Sequence, residues 1–216
     1  MQKLEFPSLR VSIISDSVTE RNGVGTYYRD LAEHLQLLGV DVDMICPKLD
    51  NGVQIDAFGV PLPGDMTQSI FFPRRKAIGA RLDSFRPHIL IIPTLGPYSY
   101  TGAREGRRRN IPIVVGHHTD FDKLVRLYWR PLFSFAGSYS LRALHNQLLR
   151  YADAVITNSE ESVIEDVRLR GRKVFLVGTP LAKKFLVGSD TMVEKSIRKI
   201  LYVGRLSCEK NVNLVV

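Results

Sequence analysis

Val11-Ser12-Ile13-Ile14-Ser15 runs into Asn22-Gly23-Val24-Gly25, after which Val24, Tyr28, Leu31, Leu35 and Leu38 recur at helical spacing. The stretch reads as strand, glycine loop and helix. Gly39 stands where a left-handed C-cap is expected, and residues 40–46 alternate into a second strand closed by Pro47. Strand, helix and strand in this order make a parallel pair, because parallel strands need a long crossover.

The unit repeats along the chain. Short apolar runs predict strands at 89–93, 111–116, 154–157 and 173–177. Helical spacing predicts helices at 74–85, at 138–151 with Leu141, Leu144 and Leu148 on one face, and at 159–170 with Ser159 as N-cap. The expected fold is α/β, a Rossmann-like, doubly wound parallel sheet flanked by helices. Residues 182–198 mix Lys, Gly, Ser, Asp and Thr with few periodic apolar positions and read as a linker. The expected organisation is therefore one domain over 1–182, a linker over 183–198, and the first strand and loop of a truncated second domain over 199–216.

Hydrophobic residues make up 44% of the 216 positions and charged residues 24%, an ordinary balance for a globular protein. No apolar run approaches the roughly 20 residues that span a bilayer. Residues 1–10 lack the apolar centre of a secretory leader, so the expected location is cytoplasmic. Cys46 and Cys208, the two cysteines, make neither a disulfide framework nor a metal-ligand pattern.

The net charge of +8, from 30 basic against 22 acidic residues, is clustered at Arg74-Arg75-Lys76, at Arg104 with Arg107-Arg108-Arg109, at Arg168 to Lys173 and at Lys183-Lys184. Such clusters are either solvated faces or contacts for an anionic surface, a membrane at the inner face of the cell included. They lack interleaved aromatic residues and any recognition-helix signature, so nucleic acid is not an expected partner.

Four places carry chemistry-bearing residues. Gly204-Arg205 and Glu209-Lys210 follow the apolar run Ile200-Leu201-Tyr202-Val203, where Arg205 offers a planar fork and Lys210 a point charge to a phosphate, unless the turn is only solvated surface. Asn22 to Gly25 opens a helix, either to let an anion approach backbone N–H groups or to make a tight turn with positive φ. The spacing is not that of the dinucleotide fingerprint, which weakens a nicotinamide-dependent reading such as a sugar epimerase. Gly116-His117-His118-Thr119-Asp120-Phe121 follows a predicted strand and sets two imidazoles and a carboxylate at the carboxyl edge of the sheet. Adjacent residues of an extended chain point in opposite directions, so His117 and His118 are poorly placed to share a metal ion. Asn158, after the strand at 154–157, lies at the same edge, as a substrate contact or as loop chemistry. Tyr128, Trp129, Pro131, Leu132, Phe133 and Phe135 then form an aromatic stretch, read as core or lid packing around a helix that Pro131 breaks.

G-R-L-x-x-E-K at Gly204 to Lys210, and H-T-D-F at His118 to Phe121, resemble motifs of the GT-B glycosyltransferases of family four, and the rest of the chain resembles that family's amino-terminal domain over nearly its whole length. The resemblance implies transfer of a sugar, as a hexosyltransferase does, from a nucleoside-diphosphate sugar to a hydroxyl of a sugar, lipid or lipid-linked acceptor, with retention of configuration and without a metal or other cofactor. It implies that Arg205 and Lys210 hold the donor diphosphate and that Gly23 faces it. It places His118 at the junction of sugar and acceptor, with Asp120 orienting it and His117, Thr119, Asn22 and Asn158 around the substrate. Val177-Gly178-Thr179-Pro180 departs from the Asn-Gly pair usual near this point. The alternative is a non-catalytic module that keeps the fold and binds an acceptor or a partner.

Overall fold

A computed structural model describes residues 9–17, 23–47, 49–50, 53–54, 57–62, 65–93, 95–117, 131–158, 160, 169, 171–182 and 185. In chain order the described elements are β1 (Arg10–Ile14), α1 (Gly23–Leu37), β2 (Asp41–Ile45), the short strands β3 (Leu49–Asp50) and β4 (Val53–Gln54), the hairpin β5 (Ala57–Leu62) and β6 (Asp65–Pro73), and α2 (Arg75–Phe85). They continue with β7 (Ile89–Ile92), α3 (Pro97–Arg108), β8 (Ile113–Gly116), α4 (Pro131–Tyr151), β9 (Ala154–Thr157) and β10 (Val174–Leu176).

Six of these strands form one sheet in the order β10-β9-β8-β7-β1-β2, every pair parallel. The order reverses between β1 and β7: the chain leaves β1 toward β2, then crosses back to continue from β7 to β10. In open α/β sheets that reversal splits the flanking loops and opens a crevice at the carboxyl ends of the strands.

Alternation along each strand builds two cores, one on each face. Val11, Ile13, Ile91 and Ile156 pack with Tyr27, Tyr28 and Ala32 of α1. Ile14, Leu90, Ile92, Ile113, Val115 and Val155 pack against Ile78 and Leu82 of α2, Tyr98 and Ala103 of α3, and Leu148 and Leu149 of α4.

Helix α3 was not expected from the sequence, and its packing shows why it forms. Its buried face is Tyr98, Ser99, Gly102, Ala103, Glu105 and Gly106, mostly small residues that bring the helix backbone onto the sheet. A Cβ at Gly106 would stand 2.2 Å from Leu90 Cδ1. Gly106→Ala should therefore cost about 1–3 kcal/mol by overpacking, measured by denaturant unfolding, and Leu90→Ala in the same chain should recover part of the loss.

Other expectations need adjustment. Pro131 does not break a helix; it opens α4, which starts earlier than residue 138, because the first turn has no use for the missing N–H. Leu144 faces solvent, and the core position beside Leu148 and Leu149 belongs to His145. The hairpin β5–β6 lies in the stretch between the second predicted strand and the helix at 74–85, where no element was predicted. The helix expected at 159–170, the linker beyond Ala182 and the strand at 200–203 fall almost wholly outside the described residues.

Candidate functional site

The carboxyl edge of the sheet carries the candidate site, and each loop there has a traceable local cause. After β1, the Ser15 N–H donates to the Ile45 carbonyl at 2.9 Å, and the Ser17 N–H donates to Ser15 Oγ at 3.0 Å. Asp16 between them reaches across the crevice. Its Oδ1 accepts from the Tyr98 N–H at 2.7 Å and its Oδ2 from the Ser99 N–H at 3.0 Å, so the loop after β1 supplies the cap for the helix after β7. The residue at the N-cap position itself, Gly96, makes no side-chain cap; a Cβ there would lie 2.4 Å from the Asp16 carboxyl carbon.

Gly23 is the first residue of α1, exposed, with nothing within 4 Å of the place a Cβ would occupy. Its φ is not positive, which corrects the tight-turn alternative. Among the described residues, neither packing nor backbone conformation requires glycine here.

His117 continues β8, its N–H donating to the Ile156 carbonyl at 2.8 Å. The ring is 6% exposed and lies parallel to that of His145, which is 3% exposed, with centroids 5.4 Å apart and planes at 13°. The stacked pair ties the start of the loop after β8 to α4. Among the described residues no group of three His, Cys, Asp or Glu side chains is placed to hold a metal ion. Asn158 is exposed at the end of β9, one strand over.

Helix α1 also holds the segment that follows β10. The Tyr27 hydroxyl donates to the Gly178 carbonyl at 3.2 Å, and His34 Nε2 donates to the Leu181 carbonyl at 2.7 Å. Burial pushes the Tyr27 hydroxyl pKa above its ordinary value, so this donor keeps its proton. The departure at Val177 to Pro180 is thus anchored to the same helix whose first residue is Gly23.

Gly23, His117 and Asn158 come to one edge, as the strand ends had indicated. Asn22, His118, Thr119, Asp120, Arg205 and Lys210 lie outside the described residues. Asp16, Tyr27, His34 and His145 were not singled out from the sequence, since no local motif marks a residue whose partner sits on another element.

The basic clusters look different once folded. Arg75 and Arg109 donate to the Glu105 carboxylate at 2.5 and 2.7 Å, with Arg108 at 3.6 Å. Arg109 also grips Asp83 through two hydrogen bonds at 2.7 and 2.8 Å, and Arg107 meets Asp153 at 3.3 Å. Much of that charge is neutralised within the fold, while Arg74, Lys76 and Arg104 remain exposed.

A comparison with curated protein sequences finds no significant match. Among solved structures, a sucrose-phosphate synthase from Thermosynechococcus elongatus is similar at 17% identity and a TM-score of 0.50, over 82% of this chain and 91% of that one. An S. aureus MnaA–UDP co-structure is similar at 12% identity and a TM-score of 0.47, over 79% of this chain and 44% of that one. An alpha-glucosyltransferase in complex with UDP and a 13-mer DNA is similar at 14% identity and a TM-score of 0.48, over 81% and 43%. The chain spans less than half the length of the latter two. Among the described residues, no helix is long and apolar enough to cross a membrane. The model of Glycosyltransferase Family 4 matches residues 21–177, a span that takes in every described element from α1 to β10. The resemblance noted in the sequence is thereby established over residues 21–177, and this protein belongs to glycosyltransferase family 4.

Proposed function

We propose that the chain is the acceptor-side part of a retaining glycosyltransferase that moves a sugar from a nucleoside-diphosphate donor to an acceptor hydroxyl. The bond from the anomeric carbon to the diphosphate breaks, a bond to the acceptor oxygen forms with the same configuration, and the acceptor proton departs with the diphosphate or to solvent. The family match over residues 21–177 carries this reading. Gly23 at the start of α1 supports it, since no described residue crowds the position and its φ is not positive, which leaves close approach of a ligand as a reason for glycine there.

In this reading Gly23, Arg205 and Lys210 face the donor diphosphate, and stabilising its departing charge is the largest catalytic contribution. His118 and Asp120 act at the reacting centre; Asn22, His117, Thr119 and Asn158 surround the acceptor or the sugar. Residues 1–182 form the acceptor-side domain, 183–198 the linker and 199–216 the opening of the donor-binding domain. The acceptor is a sugar, a lipid or a lipid-linked sugar, and the exposed cations Arg74, Lys76 and Arg104 suit an anionic membrane surface at the cytoplasmic face.

Release of nucleoside diphosphate from a panel of nucleotide sugars, with and without acceptor alcohols, tests the proposal. In the enzyme completed with its donor-binding domain, His118→Ala is expected to cut turnover at least tenfold with the circular-dichroism spectrum unchanged. Unchanged turnover removes His118 from the reacting centre. Acceptor binding without nucleotide release from any donor would instead support the non-catalytic module.

A further inference from the structure

The hairpin β5–β6 carries apolar residues on both of its faces. Phe58 stands opposite Phe72 and Val60 opposite Ile70, which puts these four on one face, while Gly59 and Phe71 belong to the other. The inner face is accounted for, since Phe71 is buried in the core that includes Ile14, Ile45 and Tyr98. The outer face is not. Polar residues line the solvated face of an ordinary antiparallel pair, yet here Phe58 is 70% exposed and Phe72 46%, with Val60 and Ile70 half-buried beside them. Strand β6 leads directly into Arg74 and Lys76, both exposed and neither paired with an acidic side chain among the described residues. They stand at the start of α2, whose first turn holds no acid. Cations there oppose the helix dipole, so α2 gains nothing from them. Arg75 between them differs, because Glu105 binds it.

We propose that Phe58, Phe72, Arg74 and Lys76 form one membrane-docking surface, on which the two rings enter the boundary between headgroups and acyl chains of an anionic bilayer and the two cations meet its phosphates. The inference rests on the reading of those cations as facing an anionic membrane and extends it to the rings beside them; it does not depend on sugar transfer. Charge and size select the lipid. Lys76 follows Phe72 by four residues, so no more than about 14 Å of chain separates the ring from either cation. A phosphate-rich surface reaches both together, the cations by attraction and the rings by burial of apolar area. A protein partner fits less well. Two phenylalanines present about 300–500 Å² even when fully exposed, short of the roughly 800 Å² that each partner gives to a stable interface. Helix α2 returns the chain to the amino end of β7, so Arg74 and Lys76 at its start lie toward the carboxyl edge of the sheet. A bilayer docked there stands beside the crevice.

Flotation of the 216-residue chain with vesicles tests this, comparing phosphatidylcholine alone with phosphatidylcholine mixed with phosphatidylglycerol. The wild type should float with the mixed vesicles and not with phosphatidylcholine alone, and high salt should weaken the binding. Phe58→Ser/Phe72→Ser and Arg74→Gln/Lys76→Gln, each folded by circular dichroism, should each lower the partition coefficient by about tenfold or more. Phe175→Ser/Leu176→Ser alters exposed apolar residues of β10, at the far edge of the sheet, and should leave binding unchanged. An equal loss in that control, or unchanged binding in either hairpin variant, would overturn the proposal. Binding that survives both hairpin variants but falls in Arg104→Gln would reject this surface and keep the membrane reading, whereas a wild type that does not float rejects both. Should the double serine variant fail to fold, Phe72→Trp keeps an aromatic ring. Its emission beyond that of Trp129 should be quenched by lipids brominated on their acyl chains, and added emission that stays unquenched overturns the proposal. Self-association lost in Phe58→Ser/Phe72→Ser, in a wild type that does not float, would overturn it in favour of a protein contact.

Discussion

Glu105→Ala is expected to lower stability by about 3 kcal/mol and to flatten the acid limb of the stability profile, both read from denaturant unfolding across pH. The Glu105 side chain is 8% exposed and sits between Arg75 and Arg109, with Arg108 alongside. Arg109 carries the connection further, donating to both Asp83 oxygens and to the Gly79 and Glu105 carbonyls, so one guanidinium joins α2 to the end of α3. Removing the carboxylate leaves those cations facing one another in a half-dry site. The loss falls near the lower end for a buried pair, because the Arg75 and Arg108 side chains reach water.

The sign of the pH effect follows from the same contacts. Burial raises the Glu105 pKa, but hydrogen bonds from Arg75 and Arg109 outweigh it and hold the carboxyl below the ordinary 4.5. Asp83 is likewise lowered from 3.8, chiefly by its hydrogen bonds to Arg109. A group with a depressed folded pKa contributes stability above its unfolded pKa and loses it as the pH falls through the folded value. The wild type should therefore lose stability as the pH drops from about 5 downward. Glu105→Ala should lose less over that window, and a variant with an unchanged acid limb would show that the network contributes little.

The strands of the main sheet were legible because a strand covered on both faces is a short continuous apolar run, and 89–92, 154–157 and 11–14 are such runs. Helix α3 was not, for the opposite reason. P-Y-S-Y-T-G-A-R-E-G-R-R carries two glycines and no apolar stripe, and its helical face is recognisable only beside the Ile14, Leu90 and Ile113 side chains it packs on. His145 was missed because an imidazole at a core spacing reads as a gap in a leucine stripe until the His117 ring is seen against it. The positions of His117 and Asn158 at strand ends, and of Gly23 at the start of α1, were legible because they follow from where the strands stop and the first helix begins. Asp16, Tyr27 and His34 act across 82, 151 and 147 residues of chain, distances at which sequence spacing carries no information.

Tyr28→Ala should be the most damaging single truncation of the α1 face, at about 3–5 kcal/mol in denaturant unfolding. Tyr28 is fully buried beneath α1, its ring 4.9 Å from that of Tyr27 and packed with Val11, Ile13 and Ala32. Burial, reinforced by the neighbouring Tyr27, pushes its pKa far above the ordinary 10.0, so the residue is neutral at every pH at which the protein folds. The cost includes lost apolar contact and a cavity, with no acid or alkaline component below the range of ordinary tyrosine ionisation. Tyr28→Phe keeps the ring and should recover most of the stability. A domain of this size has only about 5–15 kcal/mol in hand, so the alanine variant gives up a large share of it. Its effect should also be directional: α1 holds Gly23 at one end and, through Tyr27 and His34, the 178–181 segment along its length. Hydrogen exchange in Tyr28→Ala should therefore accelerate first at α1 and at 178–181, while α2 and α3, which pack on the opposite face of the sheet, stay protected. Uniform acceleration over both faces would mean that the two cores unfold as one unit, and that α1 cannot loosen around Gly23 by itself.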